Sequence, residues 1–192
     1  RALTLADLAS PERITAALEA QRPLWEPGSD QGYHAVSYGL YVGELVRRIT
    51  GKRLGEVFAE LVAGPLGLGD DLWIGTPESA EPRVARLYPV DTRTRLTQVV
   101  PRLVTGLTHE GRVYRAFAKK QSDTARAFAN PAELGPRGVA RYGTREVRAL
   151  DMPWANGVGN ARSLAGAYAG LLGSGGAPSF VSRERLAAVF AR

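Results

Sequence analysis

The sequence predicts a predominantly helical chain with long loops. Three observations carry that expectation. Apolar residues recur at three- and four-residue spacing through 37–50, 54–63, 161–172 and 182–190. Glycine and proline punctuate the chain between these segments. A short extended reading fits only one stretch well, Asp70 to Gly75. With 192 residues, 44% of them hydrophobic, the chain is long enough for one sizeable core or most of a two-part domain.

Taken in order, Leu3–Leu8 and Ile14–Leu18 read as two short helical pieces broken at Ser10-Pro11. Ser10 suits the cap, Pro11 the first helical position and Glu12 the first turn. Arg22-Pro23-Leu24-Trp25 then leads into Glu26-Pro27-Gly28-Ser29-Asp30. Here a preset proline φ, a free glycine and short polar side chains spell a turn. Gly32, Tyr33 and His34 follow while the chain is still irregular. A helix is expected from Ser37, capped by that hydroxyl, with Glu44 in its second turn. Leu40, Leu45, Val46 and Ile49 share one face, Tyr38, Tyr41 and Val42 lie beside it, and Arg47 and Arg48 fall outside the stripe. Gly51 ends it. A second helix, Leu54 to Ala63, is expected to bury Leu54, Val57, Phe58, Leu61 and Val62 before Gly64-Pro65 stops it.

Beyond Leu68, the pair Asp70-Asp71 has no third ligand at suitable spacing and reads as a surface or helix-end pair, not a metal site. Pro77, Pro82 and Pro89 punctuate a loop. Thr92–Val100 is open between helix and strand. From Gly111 to Ala129, two helical pieces separated near Gln121-Ser122-Asp123 are expected, with Ser122 or Asp123 as a cap. Lys119-Lys120 reads as a solvated edge. Asn130-Pro131 ends this part, and Gly135–Gly138 with Tyr142-Gly143 make a loop-rich passage of the sort that tends to be functional or mobile. The stretch Asp151–Asn160 precedes a helix from Ala161 to Leu172, with Leu164, Ala165, Tyr168, Leu171 and Leu172 apolar and Asn160 as N-cap. Gly173–Gly176 reads as a linker. Ser182–Phe190 reads as a last amphipathic helix.

Composition excludes several functions. There is no cysteine, and His34 and His109 are the two histidines, so disulfides, thiolate chemistry and a multi-histidine zinc site are out. No apolar run approaches the ~18 residues of a membrane span. The net charge of +6 comes from arginines scattered singly or in pairs, which reads as a solvated surface and not as a nucleic-acid stripe.

Tyr33 and His34 are delivered by a turn directly before a helical hairpin, a setting that often carries functional side chains. The residues alone leave two readings open for Tyr33. It is a proton-transfer group, which with a phenol titrating near ~10 needs a neighbouring cation, or a half-buried aromatic with a wet hydroxyl. His34 is open in the same way, between a site residue and a loop histidine bonded to backbone.

The order W-x-P-G-S (Trp25–Ser29), G-Y-H-x-x-S-Y-G (Gly32–Gly39), R-R-I-T-G-K, P-L-G-L and D-x-W-I-G-x-P resembles the middle of the serine β-lactamase-like family. It is most similar to the branch of penicillin-binding-protein-related esterases. The resemblance covers Leu3 to about Pro82 and resumes from Ala155 to Leu172. It implies an α+β fold in which an antiparallel sheet flanked by helices faces an all-helical lobe. Residues 1–192 would then be a single partial domain, mainly that helical lobe, expected to leave apolar surface open. The resemblance also implies acyl-enzyme chemistry on small carboxylic esters or related amides. Tyr33 is then the general base or proton shuttle, and His34, Trp154 and Asn156 line the substrate pocket, although Asn156 also reads as part of a glycine-rich helix start. No metal or organic cofactor, no nucleic acid and no membrane span is implied.

Two family elements are missing. No serine has a lysine three positions on, the i, i+3 spacing that lets the amine reach the hydroxyl. No Lys-Thr-Gly or His-x-Gly follows Leu172, and His109-Glu110-Gly111 stands in the wrong order. The chain is therefore expected to be an internal fragment. Tyr33-His34-Ala35 also has alanine where efficient cephalosporin hydrolases of the family carry asparagine, which favours esters over lactams. The rival readings are a β-lactamase or D-aminopeptidase and a non-catalytic scaffold relative.

Overall fold

Ser10, Ser122, Asn160 and Ser182 cap helices of this chain, and Gly51 and Gly173, both at positive φ, follow helix ends. A computed structural model of the chain describes residues 3–101, 109–119, 122–128, 131–134, 139–174, 176 and 179–191. After a 3-10 turn at Ala6–Ala9 come α1 (Pro11–Glu19), α2 (Ser37–Thr50), α3 (Leu54–Phe58) and the strand β1 (Leu72–Ile74). Then follow α4 (His109–Ala118), α5 (Asp123–Ala127), α6 (Arg145–Ala149), β2 (Gly157–Gly159), α7 (Ala161–Leu172) and α8 (Arg183–Phe190). The described residues are thus mostly helical, with β1 and β2 forming an antiparallel pair in which Trp73 faces Val158. They fall into two compact units, one of residues 1–44 with 85–147 and one of residues 45–84 with 148–192.

In the first unit, Leu3, Leu5, Leu8, Leu40, Leu134 and Val147 are buried. The start of the chain is tied to α1 through Asp7. That carboxylate accepts from the Thr4 backbone N–H at 2.9 Å, the Thr4 hydroxyl at 2.8 Å and Arg13 Nε at 3.0 Å. The Thr4 backbone hydrogen bond, then its hydroxyl, holds the Asp7 carboxyl below its usual range. Ser10 caps α1 by accepting from the Arg13 N–H at 3.4 Å, with Pro11 as the first helical residue. Ser122 caps α5 in the same manner, accepting from the Ala125 N–H at 3.1 Å. Thr92–Val99, open between helix and strand in the sequence, is helical, its second half wound as a π turn.

In the second unit, Ala63, Ala80 and Met152 are buried apolar residues. The helix expected over Leu54–Ala63 is α3 followed by a π turn, Ala59–Ala63. That turn closes when the Gly64 N–H reaches the Ala59 carbonyl at 2.8 Å, and Pro65 has no N–H with which to continue. Asn160 and Ser163 make a reciprocal capping box at the start of α7, and Ser163 Oγ also donates to the Asp71 carbonyl at 3.0 Å. This joins α7 to the strand pair. Gly173, at φ +61°, ends α7 in the left-handed conformation. Asp71 pairs with Arg83 at 2.9 Å, so the two aspartates are a surface feature. Arg148 and Glu81 form a two-point ion pair whose Nε–Oε1 arm measures 3.2 Å, with 13% and 20% of the side chains exposed. The Arg148 carbonyl accepts from the Thr76 N–H at 2.7 Å, pinning the 76–81 segment at two levels.

Helical periodicity located the apolar stripes but not always the packed faces. On α2, Leu40 is buried, whereas Leu45 and Ile49 are exposed; on the second helix Leu61 is exposed as well. On α7 the packed side is made of small residues. Ser163 and Gly170 are buried while Leu164, Tyr168 and Leu172 are each more than half exposed. A Cβ on Gly170 would stand 2.7 Å from the methyls of Leu66, and one on Gly166 would stand 3.2 Å from Leu68. The glycines thus make room for those leucines. The expectations placed on Lys120, Asn130, Gly135–Gly138 and Gly175 lie outside the described residues.

Candidate active site

Tyr33 sits on a short segment whose two neighbours are both fixed. Before it, the turn closes when the backbone N–H and the hydroxyl of Ser29 both donate to the Glu26 carbonyl, at 3.0 and 2.7 Å, around Gly28 at φ +87°. The Trp25 indole N–H then reaches forward to the Asp30 carbonyl at 3.1 Å. This lays the indole against Gly32, where a Cβ would meet Trp25 Cη2 at 2.7 Å. Gly32 is therefore dictated by the ring beside it and not by its φ.

After Tyr33 the chain enters α2. Ser37 is the first helical residue, and its hydroxyl lies 2.8 Å from His34 Nδ1. The expected cap serine thus holds the histidine. The His34 ring also meets Tyr41 edge-on, with ring centres 6.3 Å apart at 69°.

Between these supports the Tyr33 side chain is 81% exposed, and its ring centre lies 6.3 Å from that of Phe128, tilted by 33°. Tyr33 and His34 line a cavity of about 1100 Å³ that lies wholly within the first unit. Its other walls come from α1, the 20–25 loop, the start of α2 and the end of α5. Two ion pairs stand at this cavity, Arg13 with Asp7 at 3.0 Å and Arg126 with Asp123 at 3.4 Å.

Trp154 and Asn156 belong to the second unit, in the bend before β2. Asn156 is buried and both ends of its amide are used. Its Oδ1 accepts from the Met152 N–H at 3.2 Å, and its Nδ2 donates to the Leu150 carbonyl at 2.5 Å. Its own N–H returns to the Met152 carbonyl at 3.2 Å, so this side chain holds the 150–156 bend in shape. The Trp154 indole nitrogen is buried and has no hydrogen-bond partner among the described residues. Nearby in sequence, Asp151 accepts from the Gly55 N–H at 3.1 Å through Oδ2, while its buried Oδ1 has no partner among the described residues. Burial pushes the Asp151 carboxyl above its usual range, against the opposing effects of the Gly55 N–H and Arg53.

His109 opens α4 with Nδ1 3.0 Å from an Arg112 guanidinium nitrogen. Among the described residues, no group of three histidine, aspartate or glutamate side chains could hold a metal ion. No described helix is long and apolar enough to cross a membrane.

Trp25, Ser37 and Phe128 also line the cavity, without having stood out in the sequence as candidate site residues. Trp25 and Ser37 stand inside the motifs that carry the resemblance, so a signal existed. Phe128 has none, since only the fold brings α5 to the tyrosine.

The family model described as Beta-lactamase matches residues 1–190. The chain is 30% identical over 180 residues to the esterase/beta-lactamase LipL of Mycobacterium tuberculosis, covering 90% of the chain and 36% of LipL. It resembles the crystal structure of a family VIII carboxylesterase at a TM-score of 0.65 and 35% identity, over 97% of the chain and 43% of that protein. It also resembles EstA from Arthrobacter nitroguajacolicus Rue61a at a TM-score of 0.56 and 32% identity, over 88% of the chain and 39% of EstA. The chain therefore spans about two fifths of the length of these relatives.

Proposed function

The chain belongs to the beta-lactamase family, and on that premise we propose that it serves a serine hydrolase that cleaves small carboxylic esters through an acyl-enzyme. The observation that carries this reading is Tyr33, largely exposed on a segment braced from both sides and facing a cavity large enough for a small ester. Relatives named as a carboxylesterase and as an esterase/beta-lactamase support the choice of ester.

In this reading the nucleophilic serine and its lysine are contributed by residues outside these 192. Tyr33, as phenolate, takes the serine proton while the serine oxygen attacks the ester carbonyl carbon. It then returns the proton to the leaving alcohol, and water removes the acyl group by the reverse route. By the family resemblance, the cation beside the tyrosine is that lysine. His34 and Ser37 fix the segment that bears Tyr33. Asn156 shapes the bend that carries Trp154. Turnover of lactams is the second reading, favoured by the printed name of LipL. Ala35 speaks against it, because a methyl group cannot bond a lactam's amide side chain.

The test is fluorophosphonate labelling of the full-length protein, with peptide mapping of the modified serine and the Tyr33→Phe variant alongside. Expected is label on one serine outside residues 1–192, acquired in the variant at least about a hundredfold more slowly. A folded protein that takes no label leaves the scaffold reading in front.

A further inference from the structure

Two aromatic rings stand at the cavity beside Tyr33. The Trp25 indole is locked by its bond to the Asp30 carbonyl and packs on Gly32. Phe128, from the end of α5, lies against Tyr33 itself at 6.3 Å. Both rings line the cavity, with Ala17, Leu24 and Val36 among the apolar groups around them. Of the three arginines in the lining, Arg13 and Arg126 each face a carboxylate, and Arg22 is the third. What the wall offers an incoming group is flat apolar surface next to the proton-transfer residue, and ring pairs at 4.5–7 Å are the favoured arrangement for aromatic contact.

We infer that Trp25 and Phe128 form the specificity wall of the ester site and receive an aryl substituent of the substrate, with Phe128 as the specificity-determining residue. The inference rests on the ester-hydrolase reading and sharpens it. An aryl group seated there continues the ring contacts already made between Tyr33 and Phe128. It needs no counter-charge, so it does not depend on Arg22. Gly32 lets the Trp25 ring come this near the tyrosine's backbone.

The experiment uses the full-length protein and esters that carry no second aromatic group. Ethyl acetate, ethyl phenylacetate, benzyl acetate and monoethyl succinate are compared by proton release. The wild type is expected to favour at least one aryl ester over ethyl acetate in kcat/KM. Phe128→Ala is expected to lower that ratio about tenfold, mainly through KM, and Phe128→Leu, which keeps apolar bulk for folding, to fall between. An aryl-to-acetate ratio unmoved in both variants overturns the inference. So does a wild-type preference for monoethyl succinate that Arg22→Ala removes, since the occupant would then be anionic. A wild type that hydrolyses none of the four sinks the ester reading itself, and does so before any variant is compared.

Discussion

His34 Nδ1 and Ser37 Oγ lie 2.8 Å apart, so the first turn of α2 grips the residue that follows Tyr33. In the proposed mechanism this bond makes Ser37 a positioning residue for the tyrosine. Ser37→Ala is expected to lower kcat for ester hydrolysis by roughly tenfold with KM nearly unchanged, because small misplacements of a reacting group are costly. Ser37→Thr, which restores a hydroxyl, should recover most of the loss. Steady-state kinetics on the full-length protein decide it, and a change confined to KM would remove Ser37 from this role.

Asn156 makes a different kind of prediction. Truncation to alanine strands the Met152 N–H and the Leu150 carbonyl within a largely buried bend. The expected loss is about 2 kcal/mol, read from the urea midpoint. Asn156→Asp keeps the acceptor and loses the donor, so it should fall between wild type and alanine. An alanine variant as stable as wild type would show that the bend is held by other bonds.

Asp151 predicts a pH dependence. Its carboxyl is raised by burial, so the folded state holds the proton more tightly than the unfolded chain does. The sign follows from linkage. The stabilising contribution is fully present below the ordinary aspartate value of 3.8 and is lost as pH climbs through the raised folded value. Asp7, Glu56 and Asp91 are lowered and tilt the total the other way, so the informative quantity is a difference. Asp151→Asn keeps an oxygen for the Gly55 N–H and cannot ionise. Its stability relative to wild type should therefore rise with pH when unfolding is followed from about pH 4 to about pH 8. A difference that stays flat across that range would mean the carboxylate pays no burial cost.

The sequence was most legible where one residue decides local geometry. Ser10 before Pro11, Ser122 and Asn160 each cap a helix by accepting from a backbone N–H three residues on. The turn at Glu26–Asp30 and the short strand at Leu72–Ile74 were readable for the same local reason. Tyr33 enters as a candidate through motif order, which no property of a lone phenol could supply. What failed to show was anything decided by a partner distant in sequence. Period 3.6 marks an apolar stripe on α7, yet the small-residue side is the one Leu66 and Leu68 press upon. The contact of Phe128 with Tyr33 and the burial of Asp151 arise from chain reversals that leave no local mark.

The seating of Leu66 and Leu68 against Gly170 and Gly166 works as a mechanical key. The two glycines are one helical turn apart on α7, so the leucines find their recesses in a single register. Turning the helix by one residue would drive Ala167 and Leu171 into space sized for a hydrogen atom. The bearing of Leu164, Tyr168 and Leu172 is thus locked relative to the strand pair by the two positions on the helix that have no side chain at all.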